Sequence, residues 1–273
     1  MEKDDYFYII GVNRMRKTCI FSWFGYLINM NERFKLIKQA GFDGVLLWWS
    51  DENIDTDGAK EKQPELVLKN DLSIENIHLP FSGINDLWID NINGDHYEKM
   101  IINSIRQCDN FQIPTVVMHL TRGDNPPSIC KTGLNRIKRI VDTAENLNVN
   151  IALENLRKPE YIDYIFEEIS SPKLGFCYDS GHNNCFTPER DFLKDYGDKL
   201  FALHLHDNDE IEDLHMLPYD GNIEWKKIKN QIDNTHYSGV ISLEVEQGTH
   251  EKYRNMSAEE FLRRVFISAS NLT

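Results

Sequence analysis

Eight times along this chain a short apolar run gives way to a longer amphipathic stretch, and few folds accommodate that rhythm. The runs are Cys19–Ser22, Gly44–Trp48, Ile74–His78, Thr115–His119, Asn150–Leu153, Leu174–Tyr178, Leu200–His204 and Gly239–Leu243. Each is a few residues long and mostly apolar, as strands buried on both faces of a parallel sheet are. Between them, Asn31–Ala40 repeats apolar positions at Phe34, Ile37 and Ala40. The stretches Tyr97–Asp109, Leu134–Leu147, Pro159–Ser170 and Glu259–Ser270 carry helical patterns too. Gly41 stands where a left-handed C-cap belongs, and Thr187-Pro188 reads as an N-cap followed by Pro at the first helical position. Asn222-Ile223-Glu224-Trp225 is expected to open the penultimate helix.

No shift in composition marks a second domain within the 273 residues. Eight β/α units then close most economically into a single (β/α)8 TIM barrel of the α/β class. The alternative, a doubly wound open sheet, advertises a glycine-rich turn after its first strand, and none is present. Residues 1–14 are polar with one short apolar stretch and precede a second methionine, Met15. They are read as an N-terminal extension outside the barrel, with residues 15–273 as the metal-dependent catalytic domain.

The chain carries 30 Lys+Arg against 44 Asp+Glu, a formal net charge of −14. Such a field repels polyanions and acidic membranes unless basic residues cluster locally. No apolar run approaches the roughly 18 residues that a membrane span requires. The five cysteines, Cys19, Cys108, Cys130, Cys177 and Cys185, are scattered without a C-x-x-C pair. With no secretory leader visible, they suggest free thiols and a cytoplasmic protein.

Parallel α/β barrels hold their chemistry at the C-terminal ends of the strands. Here those ends read His78, His119, Glu154, Asp179 with His182, His204 with His206, then Asp213 with His215 in the seventh loop, and Glu244. Six of the nine histidines fall at these positions, leaving only His96, His236 and His250 elsewhere. In a closed barrel the ends converge on one bowl. Carboxylates crowded there without a counter-cation would be driven toward protonation. A divalent metal relieves that cost, and mixed imidazole and carboxylate donors suit zinc, manganese or iron better than magnesium.

The segments around Glu154, Asp179-Ser180-Gly181-His182, His204-Leu205-His206-Asp207 and Asp213-Leu214-His215, with Gly221-Asn222 beyond, resemble the xylose isomerase-like TIM barrels. That superfamily includes sugar and sugar-phosphate isomerases and epimerases and the endonuclease IV group of apurinic-site nucleases. The resemblance covers essentially Met15–Thr273 and has two implications. The ketose epimerase branch implies one divalent ion held by Glu154, Asp179, His204 and Glu244, with Glu154 and Glu244 also exchanging the substrate proton. The endonuclease IV branch implies three zinc ions on His78, His119, Glu154, Asp179, His182, His204, Asp213, His215 and Glu244. The cofactor expectation is therefore one to three divalent ions, zinc or manganese.

Two reactions compete for that bowl. In the first, a metal-dependent sugar, sugar-phosphate or inositol-type isomerase removes a proton beside a carbonyl, with Glu154 and Glu244 as bases on opposite walls. In the second, clustered zinc ions attack the phosphodiester of abasic-site DNA. The loop after His204, HDNDEIED, is acidic where a duplex would pass. Arg122, Arg157, Lys158 and Arg190 form no basic run. A small carbohydrate is thus the expected partner rather than nucleic acid or membrane. Trp49, in the Trp48-Trp49 pair, and Arg157 are expected to contact it, with Phe81 and Trp88 completing an aromatic floor. His206 is assigned a supporting role, because the strand is expected to end at His204, and Cys177 is read as a small packing residue.

Overall fold

A computed structural model describes residues 16–273 apart from 53, 55–57 and 249. The proposed extension, residues 1–14, lies outside the described residues. Eight parallel strands form one sheet: β1 (Thr18–Phe21), β2 (Gly44–Trp48), β3 (Ser73–His78), β4 (Thr115–Met118), β5 (Asn150–Glu154), β6 (Leu174–Asp179), β7 (Leu200–His204) and β8 (Ile241–Leu243). Their order is β7-β6-β5-β4-β3-β2-β1-β8. Leu205, just past β7, bridges Leu243 in parallel, and its N–H donates to the Ser242 carbonyl at 3.0 Å. This contact joins the two ends of the sheet into the (β/α)8 TIM barrel.

The α-helices are α1 (Met30–Ala40), α2 (Gln63–Lys69), α3 (Ile92–Phe111), α4 (Lys131–Asn146), α5 (Glu160–Glu168), α6 (Ser180–Phe186), α7 (Phe192–Tyr196), α8 (Trp225–Asp233) and α9 (Ala258–Ser270). Gly41 closes α1 at φ 106°, as expected of a left-handed cap. The Thr187-Pro188 expectation fails. Asp179 caps α6 through the His182 N–H, so the helix begins directly after β6 and has ended by Thr187. The next helix, α7, starts at Phe192 with the Asp191 side chain as its cap. Aspartate at two N-caps thus outranked the Thr-Pro signal. The short helix α2 had no counterpart in the sequence reading.

Strand alternation sorts the interior into two sets. Val45, Leu47 and Trp49 of the β2 segment, Val116 and Met118 of β4, and Ile151 and Leu153 of β5 join the main core between sheet and helices. The opposite parity faces the barrel axis, where Val117, Ala152, Cys177 and Ala202 form a separate apolar plug, all fully buried. Such small residues let eight strands close without a pore. Cys177 is thus a packing residue, its thiol pushed up to about 12, chiefly by burial.

Candidate metal centre and active site

Two residues above the plug, on the same face of the same strands, the apolar side chains become His119, Glu154, Asp179 and His204. His78 and Glu244 occupy the matching positions on β3 and just past β8. The period of two therefore lifts an ionisable ring directly off an apolar floor. Glu154 is its centre: Oε2 lies 3.0 Å from His78 Nε2 and 3.4 Å from both His119 Nε2 and His204 Nδ1. Its Oε1 lies 3.1 Å from His182 Nδ1. Asn155 locks the next residues, donating to the Asp179 carbonyl at 2.8 Å and accepting the Asp179 N–H at 2.7 Å.

The donor atoms fall into groups, each within 4.8 Å, that include Glu154, Asp179, His204 and Glu244; His78, His119 and Glu154, which shares Glu154 with the first; and the separate set His206, Asp213 and His215. The residues fit a cation on two counts. First, several fully buried polar atoms have no hydrogen-bond partner, including His119 Nε2, both His204 nitrogens, Asp179 Oδ2, Asp213 Oδ1 and Glu244 Oε2. His204 Nδ1 lies only 2.6 Å from Glu244 Oε2, yet not at a hydrogen-bonding angle. Atoms so close and yet misdirected for one another suit a shared central ion, since buried polar atoms are otherwise paired. Second, His78, His182 and His215 each turn Nδ1 to a backbone carbonyl, those of Leu79 (2.8 Å), Asn155 (3.1 Å) and Glu244 (2.9 Å). An Nδ1–H donated there leaves the Nε2 lone pair facing the bowl, the arrangement that orients metal-ligating histidines.

The electrostatics point the same way. Burial by itself would raise the Glu154 carboxyl, but His204 and His119 bring it well below the ordinary range. Burial likewise opposes charge on His215, yet Asp213 beside it raises the ring to about 10. Asp213 lies far below its usual range, burial being outweighed by His182 and His215. Burial lowers His119 toward its neutral form, whereas neighbouring carboxylates, against burial, raise His182, His204 and His215. Ionised carboxylates thus face a mixture of neutral and protonated rings whose protons a divalent ion can replace.

The seventh loop is built around a buried carboxylate that the sequence reading counted as surface charge. Asp207 is fully buried and accepts from Trp225 Nε1 (2.7 Å) and from the backbone N–H groups of Asn208, Tyr219 and Ile223. Gly221 lets the chain close around it, because a Cβ there would lie 2.3 Å from Asp207 Oδ1. Of HDNDEIED, only Asp209, Glu210, Ile211 and Glu212 are exposed. This loop brings His215 onto His206 with ring centroids 4.1 Å apart and planes 7° from parallel. Gly181 permits the approach from α6, since a Cβ would lie 1.9 Å from the His206 ring. The reason given for setting His206 apart, an alternation ending with the strand at His204, does not hold. Leu205 continues the β7 alternation by pairing with Leu243, so His206 faces inward, its Nε2 3.1 Å from Asp179 Oδ1.

A cavity of about 360 Å³ opens above the donors, walled by Phe21, Trp23, Trp48 and Phe81, with Glu52 and Glu246 at its rim. Trp49 does not reach it. Parity sends Trp49 outward, where its indole N–H donates to Gln107 Oε1 of α3 at 2.8 Å, while Trp48 lies 5.5 Å from His78. Trp88 is also structural, buried with its N–H on the Leu120 carbonyl. Arg157 stands at the mouth, its guanidinium 3.4 Å from the Phe186 ring centroid and 2.9 Å from Asp124. Arg190 is bound to Asp163 and Asp195 elsewhere. Glu246, Phe21 and Trp23 escaped the sequence reading, although Glu246 shares the parity of Glu244.

The model of the xylose isomerase-like TIM barrel family matches residues 34–265. The chain belongs to that family. Probable endonuclease 4 of Mycoplasma capricolum is 28% identical over 137 residues, 43% of this chain and 47% of that protein. The chain spans 33%, 63% and 47% of the lengths of three curated relatives that it matches. D-psicose 3-epimerase from Clostridium cellulolyticum superposes with a TM-score of 0.75 at 12% identity, over 92% of this chain and 96% of that one. A zinc-bound IolI protein superposes with a TM-score of 0.73 at 17% identity, over 94% and 97%. At these identities the superpositions speak for the fold.

Proposed function

We propose that the protein is a metal-dependent sugar or sugar-phosphate isomerase or epimerase, acting by proton abstraction beside a carbonyl. The observation that carries this reading is the four-donor group Glu154, Asp179, His204 and Glu244 at the floor of an aromatic-walled cavity. Similarity to D-psicose 3-epimerase and to the zinc-bound IolI protein supports it. These four residues would hold one divalent ion, zinc or manganese. Bound there, the ion would polarise the substrate carbonyl and stabilise negative charge developing on its oxygen. Glu154 and Glu244 approach from strands three places apart in the ring, so each can serve one face of the reacting carbon. One takes the proton and the other returns it at the opposite face. Trp48 and Phe81 offer apolar faces to the C–H side of the sugar and keep water from the reacting carbon.

A second reading, an endonuclease IV-like multi-zinc phosphodiesterase, is favoured by the two further donor groups, His78/His119/Glu154 and His206/Asp213/His215. The exposed acids Asp209, Glu210 and Glu212, in the loop that carries Asp213, weigh against a duplex.

The test is a panel of ketoses, ketose phosphates and inosose substrates in deuterated water with zinc- or manganese-loaded protein, alongside an abasic-site duplex. Solvent deuterium at the epimerised carbon, lost in Glu154→Gln and Glu244→Gln, is the expected result. Incision of the duplex with no exchange into any sugar would replace this reading by the second.

A further inference from the structure

Beside the main cavity, between the loops that follow β4 and β5, lies a recess of about 280 Å³. It shares Phe81, His119, His182 and Asp213 with the bowl, so the two are one site with two lobes. The lobes differ in charge. The main cavity is rimmed by Glu52 and Glu246, whereas the recess is lined by Arg122 and Arg157.

Both arginines are mounted in the same way. Arg122 lies 5.7 Å over the Phe81 ring, which stacks on His119 at 4.5 Å and 13°. Arg157 lies 3.4 Å over the Phe186 ring, which stacks on His182 at 5.5 Å and 25°. Two stacks of phenyl on imidazole therefore flank the recess, their imidazole planes 78° apart, each carrying an arginine and resting on a candidate metal ligand. A guanidinium laid on an aromatic face keeps its N–H edge free and loses rotational freedom, which prepares it for a planar or tetrahedral oxyanion. The Arg122 backbone is clamped as well. Its N–H donates to Asn85 Oδ1 at 2.8 Å, and its carbonyl accepts from Asn85 Nδ2 at 2.9 Å.

Among the described residues no carboxylate forms an ion pair with Arg122. Arg157 is paired with Asp124, whose side chain is 81% exposed and can swing into water when a competing anion arrives. Asp213, the other acid in the recess, turns Oδ2 to His182 at 3.2 Å and to His215 at 3.6 Å, so two imidazoles offset its charge, although its Oδ1 has no hydrogen-bond partner.

We propose that this recess is an oxyanion subsite in which Arg122 and Arg157 bind the phosphate or carboxylate of an anionic sugar whose reacting carbon lies over the Glu154–Glu244 bowl. The sugar part of this statement rests on the isomerase reading; the oxyanion part does not. The shared chemistry is a singly attached, multiply charged or planar oxyanion.

The test is calorimetric titration of zinc-loaded protein with inorganic phosphate, then with glycerol phosphate and glycerate, in the wild type, Arg122→Gln, Arg157→Gln and the double variant. Thermal melts confirm that each variant is folded. Phosphate affinity should fall about tenfold per arginine, a charge-assisted contact of about 1.4 kcal/mol each. Stronger binding of glycerol phosphate assigns a sugar phosphate, and stronger binding of glycerate a sugar acid. Phosphate affinity unchanged in the folded double variant, with anions bound through the metal alone, would overturn the subsite. Arginine-dependent binding that persists while no sugar is turned over leaves the subsite standing and breaks only the isomerase reading. An abasic duplex bound through the same arginines more tightly than glycerol phosphate would overturn the small-molecule assignment.

Discussion

Two layers of the barrel interior, one β-strand repeat apart, differ in almost every property. The lower layer, Val117, Ala152, Cys177 and Ala202, is small, apolar and fully buried. The upper layer, His119, Glu154, Asp179 and His204, is also buried but ionisable, and three of its four side chains carry polar atoms without a hydrogen-bond partner. The lower layer fixes strand spacing by contact. The upper one tolerates its electrostatic strain because the strands beneath it cannot move apart, and a bound ion would offset that strain.

If this division of labour is right, substitutions in the two layers should separate cleanly. The largest effect belongs to Glu154→Gln. Assayed on the best ketose found, turnover should fall at least ~10³-fold, and metal analysis should show less bound zinc. Activity within a few-fold of wild type would end the view that Glu154 is the hub of the upper layer.

The adjacent tryptophans sharpen the comparison across the sheet rather than along it. Trp49→Ala should cost about 3 kcal/mol or more in denaturant unfolding while leaving KM little changed, because Trp49 packs between barrel and α3. Trp48→Ala should do the reverse and raise KM. Equal effects in both assays would mean that strand parity does not divide packing from binding here.

Glu75 offers a third contrast, a carboxylate on β3 outside the metal cluster. Burial lifts it to about 7, with the charge of His204 opposing. A folded value above the unfolded one means that its contribution to stability is intact below about pH 4.5 and lost as pH rises through about 7. Glu75→Gln should therefore gain on the wild type between about pH 5 and pH 8, by about 1–2 kcal/mol after partial solvent screening. A pH-independent difference would place Glu75 in water. The smallest effect is expected from Ala152→Gly in the plug, about 1 kcal/mol in stability with turnover nearly unchanged.

Much of the site was legible because strand ends are read from local pattern. His78, His119, Glu154, Asp179, His182, His204, Asp213, His215 and Glu244 all face one bowl, as the order of β/α units required. The errors were of three physical kinds. Trp49 was misplaced by one step of parity, which a Trp-Trp pair at a strand end conceals. His206 was set aside because the strand was thought to stop, whereas the Leu205–Leu243 bridge that closes the barrel carries the alternation one residue further. Asp207 was counted as surface charge because its partners, Tyr219, Ile223 and Trp225, come from residues far along the loop.

What the chain's order of residues determined alone was the barrel and, His206 apart, the candidate donors at its strand ends. Short apolar runs of period two, separated by amphipathic helices, leave little else to build, and side chains at strand ends have one direction in which to converge. Tertiary structure decided how those donors are grouped, which tryptophan faces the cavity, and that Arg122 and Arg157 share a recess. Those facts depend on distances between residues far apart in the chain. Only closure of the barrel and the folding of its loops bring them within reach of one another.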